Sequence, residues 1–152
     1  MIDIQIVDPQ DPDIAAIIAF HLSGMTANSP KESVYALGAT DLSEDNVTLF
    51  GAFENETCLS IGAIKRLNGV EGEIKSMRTL KSALGRGLGK SILQHIIAFA
   101  KQNGIETLML ETGTGESFDA AHHIYQRHGF VPSEPFGDYE KSDFNRFYTL
   151  EL

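Results

Sequence analysis

A chain of 152 residues, 42% hydrophobic, with no Trp and a single Cys, has the length of one domain and enough apolar residues for one core. Twelve basic against twenty-one acidic residues leave a formal charge of −9, which argues against nucleic-acid binding through a basic surface and against an anionic membrane partner. The lone thiol, Cys58, forms no intramolecular disulfide and fits a reducing, cytoplasmic setting; no leader pattern and no run of ~18 apolar residues interrupts that expectation.

Ile2, Ile4 and Ile6 alternate with polar residues and predict a short strand with one buried face. Asp11-Pro12 reads as an N-cap followed by proline at the first helical position. Ile14, Ile17, Ile18, Leu22 and Met25 follow at helical spacing, with an end expected near Gly24. Ser29-Pro30-Lys31-Glu32 is a capping-box pattern ahead of Val34 and Leu37, predicting a second, shorter helix.

The period then falls to about two. Val47–Phe53, Cys58–Leu67 and Val70–Leu80 read as consecutive antiparallel strands, joined through Glu54-Asn55-Glu56 and Asn68-Gly69. A helix carrying Leu88, Ile92, Leu93, Ile96, Ile97 and Ala100 follows, stopped by Gly104. Ile105–Thr112 is a strand, and Ser117–His128 a helix ended by Gly129, with Phe118, Ala121, Ile124 and Tyr125 on one face. Aromatic segments Phe130–Tyr139 and Phe144–Leu152 supply the last strands. The expected fold class is α/β: a mixed, mostly antiparallel sheet in a single domain spanning residues 1–152.

Leu84-Gly85-Arg86-Gly87-Leu88-Gly89-Lys90-Ser91 is the most informative stretch. Alternate glycines permit positive φ and close backbone approach, and the helix that starts there aims free N–H groups and its positive dipole end at the same point. Phosphate is the natural guest, with Arg86 and Lys90 as added charge. Both familiar phosphate motifs miss by one residue, since Gly85 comes one place late for a Walker A loop and Lys90 stands where a dinucleotide fingerprint needs glycine. A turn that merely joins strand to helix is the plain alternative.

Taken in order, Glu73-Ile74-Lys75-Ser76-Met77-Arg78-Thr79, the glycine turn with its helix, and Tyr125-Gln126-Arg127-His128-Gly129-Phe130 resemble the GNAT superfamily of acyl-CoA N-acyltransferases. The family signature is Arg/Gln-x-x-Gly-x-Gly/Ala; Gly87 and Gly89 fill its small positions, and Leu84 stands where Arg or Gln is usual. The resemblance covers nearly the whole chain, and Glu111-Thr112-Gly113 with Pro135-Phe136-Gly137-Asp138-Tyr139 is similar to a bacterial acetyltransferase branch. It implies about four helices and a V-shaped split between the fourth and fifth strands, where acetyl-CoA lies. The pantetheine arm would pair with backbone around Met77, Arg78 and Thr79, and the diphosphate would rest on Gly85, Arg86, Gly87, Leu88, Gly89 and Lys90. The implied reaction is direct acetyl transfer to a primary amine of a small molecule or peptide in a ternary complex, without a metal. A non-catalytic acyl-CoA-binding module is the alternative, and a homodimer through the late strands stays open.

Acyl transfer needs a neutral amine, a polarised thioester and a stabilised leaving thiolate. An amine of pKa about 10.4 is mostly protonated near neutrality, so a base is useful. The resemblance points to Glu73 for this role, with Glu71 and Glu111 as rivals; a solvated strand residue facing Lys75 is the plain reading. It points to Tyr125, four residues before Gly129, as general acid at the thioester sulfur, against an ordinary buried tyrosine. Phe118 occupies a place where the family often has Asn, so no cofactor contact is carried onto it.

His122, His123 and His128 cluster in sequence, but none is three or four residues from another on that helix, and zinc is not expected. Cys58 reads as a small apolar filler rather than a nucleophile. The family builds its acceptor pocket from the first two helices and the late loops, here His21–Leu37 and Phe136–Phe144. Asp138, Glu140 and Asp143, with the overall charge, suggest a cationic acceptor or simply a solvated acidic loop.

Overall fold

The computed structural model describes residues 2–28 and 42–152. The second helix expected after Ser29, including Val34 and Leu37, lies outside the described residues.

The chain opens with β1 (Asp3–Ile6) and α1 (Pro12–Asn28). Asp11 caps α1 as its sequence predicts: its side-chain Oδ1 accepts from the Asp13 amide at 3.0 Å, and its carbonyl receives the Ala15 amide. The helix runs past Gly24 to Asn28, a correction to the expected end. Glycine commonly ends a helix by turning to positive φ, whereas Gly24 stays within the helix. β1 is an edge strand, so Ile2 and Ile4 pack partly while Ile6 stands 62% exposed rather than buried.

Next come β2 (Val47–Glu54), β3 (Thr57–Arg66) and β4 (Glu71–Thr79), antiparallel in sequence order. Asn55 and Glu56 both take positive φ, 51° and 75°, the two-residue turn whose twist matches paired strands. After a 3-10 turn at Lys81–Ala83, α2 (Leu88–Gln102) leads to β5 (Thr107–Thr112) and α3 (Glu116–Arg127). The aromatic segments yield only β6 (Val131–Pro132) and β7 (Arg146–Glu151). Pro132 and Pro135 lack the N–H a longer strand needs.

The sheet order is β1-β2-β3-β4-β5-β7-β6, with β4–β5 the parallel pair. Among the described residues three α-helices flank it, where about four were expected overall. One face packs Ile92, Leu93 and Ile96 of α2 against Ile64, Ile74, Leu108 and Leu110. Ile14, Ile17 and Ile18 of α1 cover the other, against Leu42, Leu49, Ile61 and Ala63. Each such aliphatic side chain contributes roughly 1.5–3 kcal/mol when withdrawn from water.

The split between β4 and β5 has a local cause. Their pairing covers only Glu71–Ile74 against Thr107–Leu110. On the other edge of β4, Ala63 faces Lys75 but Ile61 faces Arg78, so Gly62 opposes both Ser76 and Met77. Ser76 absorbs this bulge at φ 59°. A Cβ on Gly62 would collide with Met77 Sδ and stand 2.6 Å from Ile92 Cγ2; glycine is required there. The bulged half of β4 turns away from β5 and keeps its main chain unpaired on that side.

Candidate functional site

A cavity of about 260 Å³ opens in the split. β4 lines it from Glu73 to Thr79, β5 supplies Glu111 and Thr112, and α3 supplies Phe118, Ala121, Ile124 and Tyr125. Leu84 and Gly89 reach it from the glycine turn, His21 from α1 and Tyr139 from the loop before β7.

The glycine turn is an array of free donors. Gly85 and Gly87 take φ of 81° and 77°, and Gly87 is the N-cap of α2. The helix's first internal hydrogen bond runs from the Ser91 amide to the Gly87 carbonyl. Among the described residues, no amide from Gly85 to Lys90 donates to a carbonyl or side chain. The turn therefore presents consecutive N–H groups at the positive end of a long helix, an anion site by geometry and dipole alike. Arg86 adds less than its sequence suggests, because its guanidinium pairs with Glu54 at the end of β2. Lys90 is exposed, and Leu84, 63% exposed, brings no polar group. Gly89 lies against Thr79 Oγ1 and Ile124 Cδ1, which joins the turn to β4 and α3.

Tyr125 is buried, its ring edge-on to Phe130 at 5.7 Å and tilted against Tyr148. Burial pushes its phenol upward, so it stays protonated across the neutral range. Among the described residues its hydroxyl has no hydrogen-bond partner, and the residue faces the cavity.

Glu73, only 5% exposed, holds a compact network. Its Oε2 accepts from the Tyr139 hydroxyl and from Lys75 Nζ, the latter at 3.2 Å, and Lys75 Nζ also donates to the Tyr139 oxygen at 2.6 Å. Phe136 and Phe147 brace the Tyr139 ring edge-on at 5.1 and 5.9 Å. Glu111 shares the chamber in a different state. Burial raises its carboxyl to about 7, and the neighbouring Glu73 adds to the rise, while the Asn145 amide and Lys75 oppose it. Glu71 accepts from Asn68 in the hairpin and does not line the cavity.

His21, buried, accepts from Arg78 Nε through Nδ1 at 3.1 Å. Burial, then the charges of Arg78 and Lys75, lower it to about 4, so it is neutral with its proton on Nε2. Ser76 Oγ is buried at the cavity wall without a hydrogen-bond partner.

The structure thus gathers Glu73, Met77, Arg78, Thr79, Gly89 and Tyr125 around one cavity, with Gly85–Leu88 and Lys90 in the adjoining turn. The Arg78 side chain points to α1, so only its main chain can serve a cofactor arm in the split. Of the proposed acceptor segments, His21 and Tyr139 line the cavity; Asp138, Glu140 and Asp143 are exposed outside it. Lys75 and Ser76 went unassigned in the sequence, while His21 and Tyr139 entered only as members of the acceptor segments. The alternation of Glu73 and Lys75 on one strand face was the available signal for the first.

The histidines are occupied elsewhere. His122 Nε2 donates to the Gly113 carbonyl at 2.7 Å and its Nδ1 accepts from Tyr148; His128 Nδ1 donates to the Ile124 carbonyl. Among the described residues no three potential metal ligands converge. Cys58 is buried with its thiol pushed up by burial, as suits a packing residue. No helix among the described residues is long and apolar enough to cross a membrane.

The sequence profile of the acetyltransferase (GNAT) family matches residues 14–130. The uncharacterized N-acetyltransferase YedL of Escherichia coli is 41% identical over 152 residues, covering 100% of this chain and 96% of that one. A provisionally assigned acyl-CoA N-acyltransferase of Klebsiella pneumoniae superposes with a TM-score of 0.81 at 25% identity, covering 100% and 98% of the two chains. A GNAT acetyltransferase of Elizabethkingia anophelis, solved with acetyl-CoA bound, gives 0.70 at 20% identity, covering 99% and 98%.

Proposed function

Because the chain belongs to the acetyltransferase (GNAT) family, we propose that it transfers the acetyl group of acetyl-CoA to a primary amine of a small molecule or peptide, by direct attack in a ternary complex. One observation carries the reading: among the described residues the amides from Gly85 to Lys90 and one edge of β4 go unpaired beside a cavity faced by a tyrosine whose hydroxyl has no partner among them.

In this reading the diphosphate rests on the glycine turn and the pantetheine arm takes the main chain of Met77, Arg78 and Thr79 as a strand would. This fit rests on donors that the fold leaves unused, and it survives the loss of Arg86 to Glu54. The bound thioester supplies the activated acetyl carbon, and the chain's own groups manage protons and charge.

The amine proton leaves toward the carboxylate pair. Glu111, raised to about 7, is poised near the working pH, where a general base is most effective. Glu73 has one oxygen committed to Lys75 and Tyr139, and acts by fixing that wall and its charge. As the C–S bond breaks, the Tyr125 hydroxyl donates to the sulfur, where negative charge develops. Its raised pKa makes it a poorer acid toward a thiolate in water. The same dry surroundings raise the proton affinity of the thiolate, so a hydrogen bond to sulfur is favourable there.

The test is thiol release from acetyl-CoA across amines, polyamines, amino acids and peptides. Release with at least one acceptor, above the protein-free rate and with stoichiometric N-acetyl product, is expected. Tight acetyl-CoA binding without release for the whole panel would instead assign a non-catalytic acyl-CoA-binding module.

A further inference from the structure

Arg78 is a cavity charge with no counter-ion among the described residues. Its guanidinium is partly buried between α1 and β4, with Nε on His21 and the group lying 5.5 Å from the Phe20 ring centroid. Among the described residues no carboxylate pairs with it, and Nη1 and Nη2 make no hydrogen bond. Lys75, the other cation on this wall, is neutralised by Glu73. His21 offers only a neutral acceptor. A guanidinium partly withdrawn from water, with two of its nitrogens making no hydrogen bond among the described residues, gains from an anion that completes the site.

We propose that Arg78 anchors a carboxylate of the acceptor, so that the molecule acetylated carries both an amine and a carboxylate, as amino acids and short peptides do. This rests on the transfer reading above and names the substrate class of the same site. The side of the sheet decides against the cofactor as Arg78's anion. Thr79 lies against Gly89 of the glycine turn, whereas Arg78, the preceding residue, contacts His21 and Phe20 of α1. Its fork therefore points away from the diphosphate position, into the α1 side of the cavity. The charge pattern also sets the polarity of the guest. Glu73 and Glu111 line the wall before the bulge and Arg78 the wall beyond it. An acceptor lying along β4 puts its amine at the carboxylates and its carboxylate at the guanidinium. A singly charged carboxylate matches one planar fork, while a dianionic phosphate group would also meet the repulsion of the two glutamates.

The experiment uses the full chain saturated with CoA and measures binding of N-acetyl amino acids against their C-terminal carboxamides by calorimetry. Probes span short and long spacings between the amide and the carboxylate. For at least one spacing the acid should bind about tenfold or more tightly than its carboxamide, the scale of one charge-assisted hydrogen bond. Arg78→Gln should level the two, and Arg78→Lys should restore part of the preference, with CoA affinity unchanged in both. Equal affinity of acid and carboxamide for the wild-type chain at every spacing, including no binding of either, overturns the proposal without need of a variant. Thiol release is scored separately. Acetylation of uncharged amines alone, with no acid preference, sinks this inference and leaves the transfer reading standing. Acid-selective binding with no release for any acceptor does the reverse.

Discussion

Tyr139 and Glu73 lie sixty-six residues apart in sequence, and the hydroxyl of one donates directly to the carboxylate of the other. Lys75 closes the triangle from the same strand as Glu73. This contact pins the loop before β7 onto β4 and forms one end of the cavity. Tyr139→Phe should keep the ring packed against Phe136 and Phe147 while losing a hydrogen bond to a charged group, at about 1.5–3 kcal/mol. Acceptor kcat/KM should fall about tenfold, on the scale of that bond, with acetyl-CoA affinity unchanged. Unaltered acceptor kinetics would show that the loop is pinned for stability alone.

His21 and Glu111 give the chain two opposed pH dependences. His21 falls from 6.5 unfolded to about 4 in the folded chain, so between those values the unfolded state binds more protons and stability rises with pH. Glu111 rises from 4.5 unfolded to about 7, so the folded state binds more protons there and stability falls with pH. Each shift corresponds to at most about 3–4 kcal/mol, and the two nearly cancel where they overlap. Urea unfolding of His21→Gln should therefore lose stability, relative to wild type, as pH rises from 4.5 to 7. Glu111→Gln should gain stability, relative to wild type, over the same range. Curves parallel to wild type for both variants would remove these two groups from the titration.

The elements were legible because their local signals agree with their packing. Asp11-Pro12, the two hairpin turns and the stops at Gly104 and Gly129 each announced a boundary that the fold keeps. Gly24 misled because a glycine marks a helix end only if neighbouring contacts let the chain turn, and packed residues such as Ile17, Ile18 and His21 hold α1 together. At the site, the glycine turn was visible as free amides. The Lys75–Tyr139 contact was not, since it joins elements sixty-four residues apart through an aromatic pocket no local pattern encodes. Nor was the bulge: serine seldom adopts the left-handed φ that Ser76 takes, so nothing local marks it.

Ser76 pays twice for its position, once in backbone strain and once in a buried hydroxyl without a partner. Ser76→Gly relieves both, at the expense of a more flexible unfolded chain. A net stabilisation of about 1 kcal/mol is expected from chemical denaturation. If the variant is instead less stable, the hydroxyl has a folded-state partner in solution and the strain assignment is wrong.

Gly62 tests the bulge from the opposite strand. A methyl group there meets Met77 Sδ and the Ile92 Cγ2 methyl at 2.6 Å, and Ile92 is fully buried. Gly62→Ala should cost about 1–3 kcal/mol and weaken acetyl-CoA binding, because Met77 yields first and carries the cofactor-facing stretch of β4 with it. Gly69→Ala, which adds a methyl group into open space, is the control and should stay within about 0.5 kcal/mol of wild type. Equal effects at the two glycines would mean that the close approach at Gly62 does not shape the strand.

Tyr125→Phe separates chemistry from packing with unusual clarity, because the hydroxyl it removes has no partner among the described residues. For a buried tyrosine with a satisfied hydroxyl, this change costs about 1 kcal/mol. Here stability should hold, since the hydroxyl faces the cavity and makes no hydrogen bond among the described residues that its removal would cost. Turnover should nonetheless drop at least about tenfold, the contribution expected of one donor to a developing charge, while the Kd for acetyl-CoA barely moves. Thermal unfolding, calorimetry and thiol release on one preparation read all three quantities. Lost stability with unchanged turnover would mark Tyr125 as an ordinary core residue and leave the sulfur without a donor from α3.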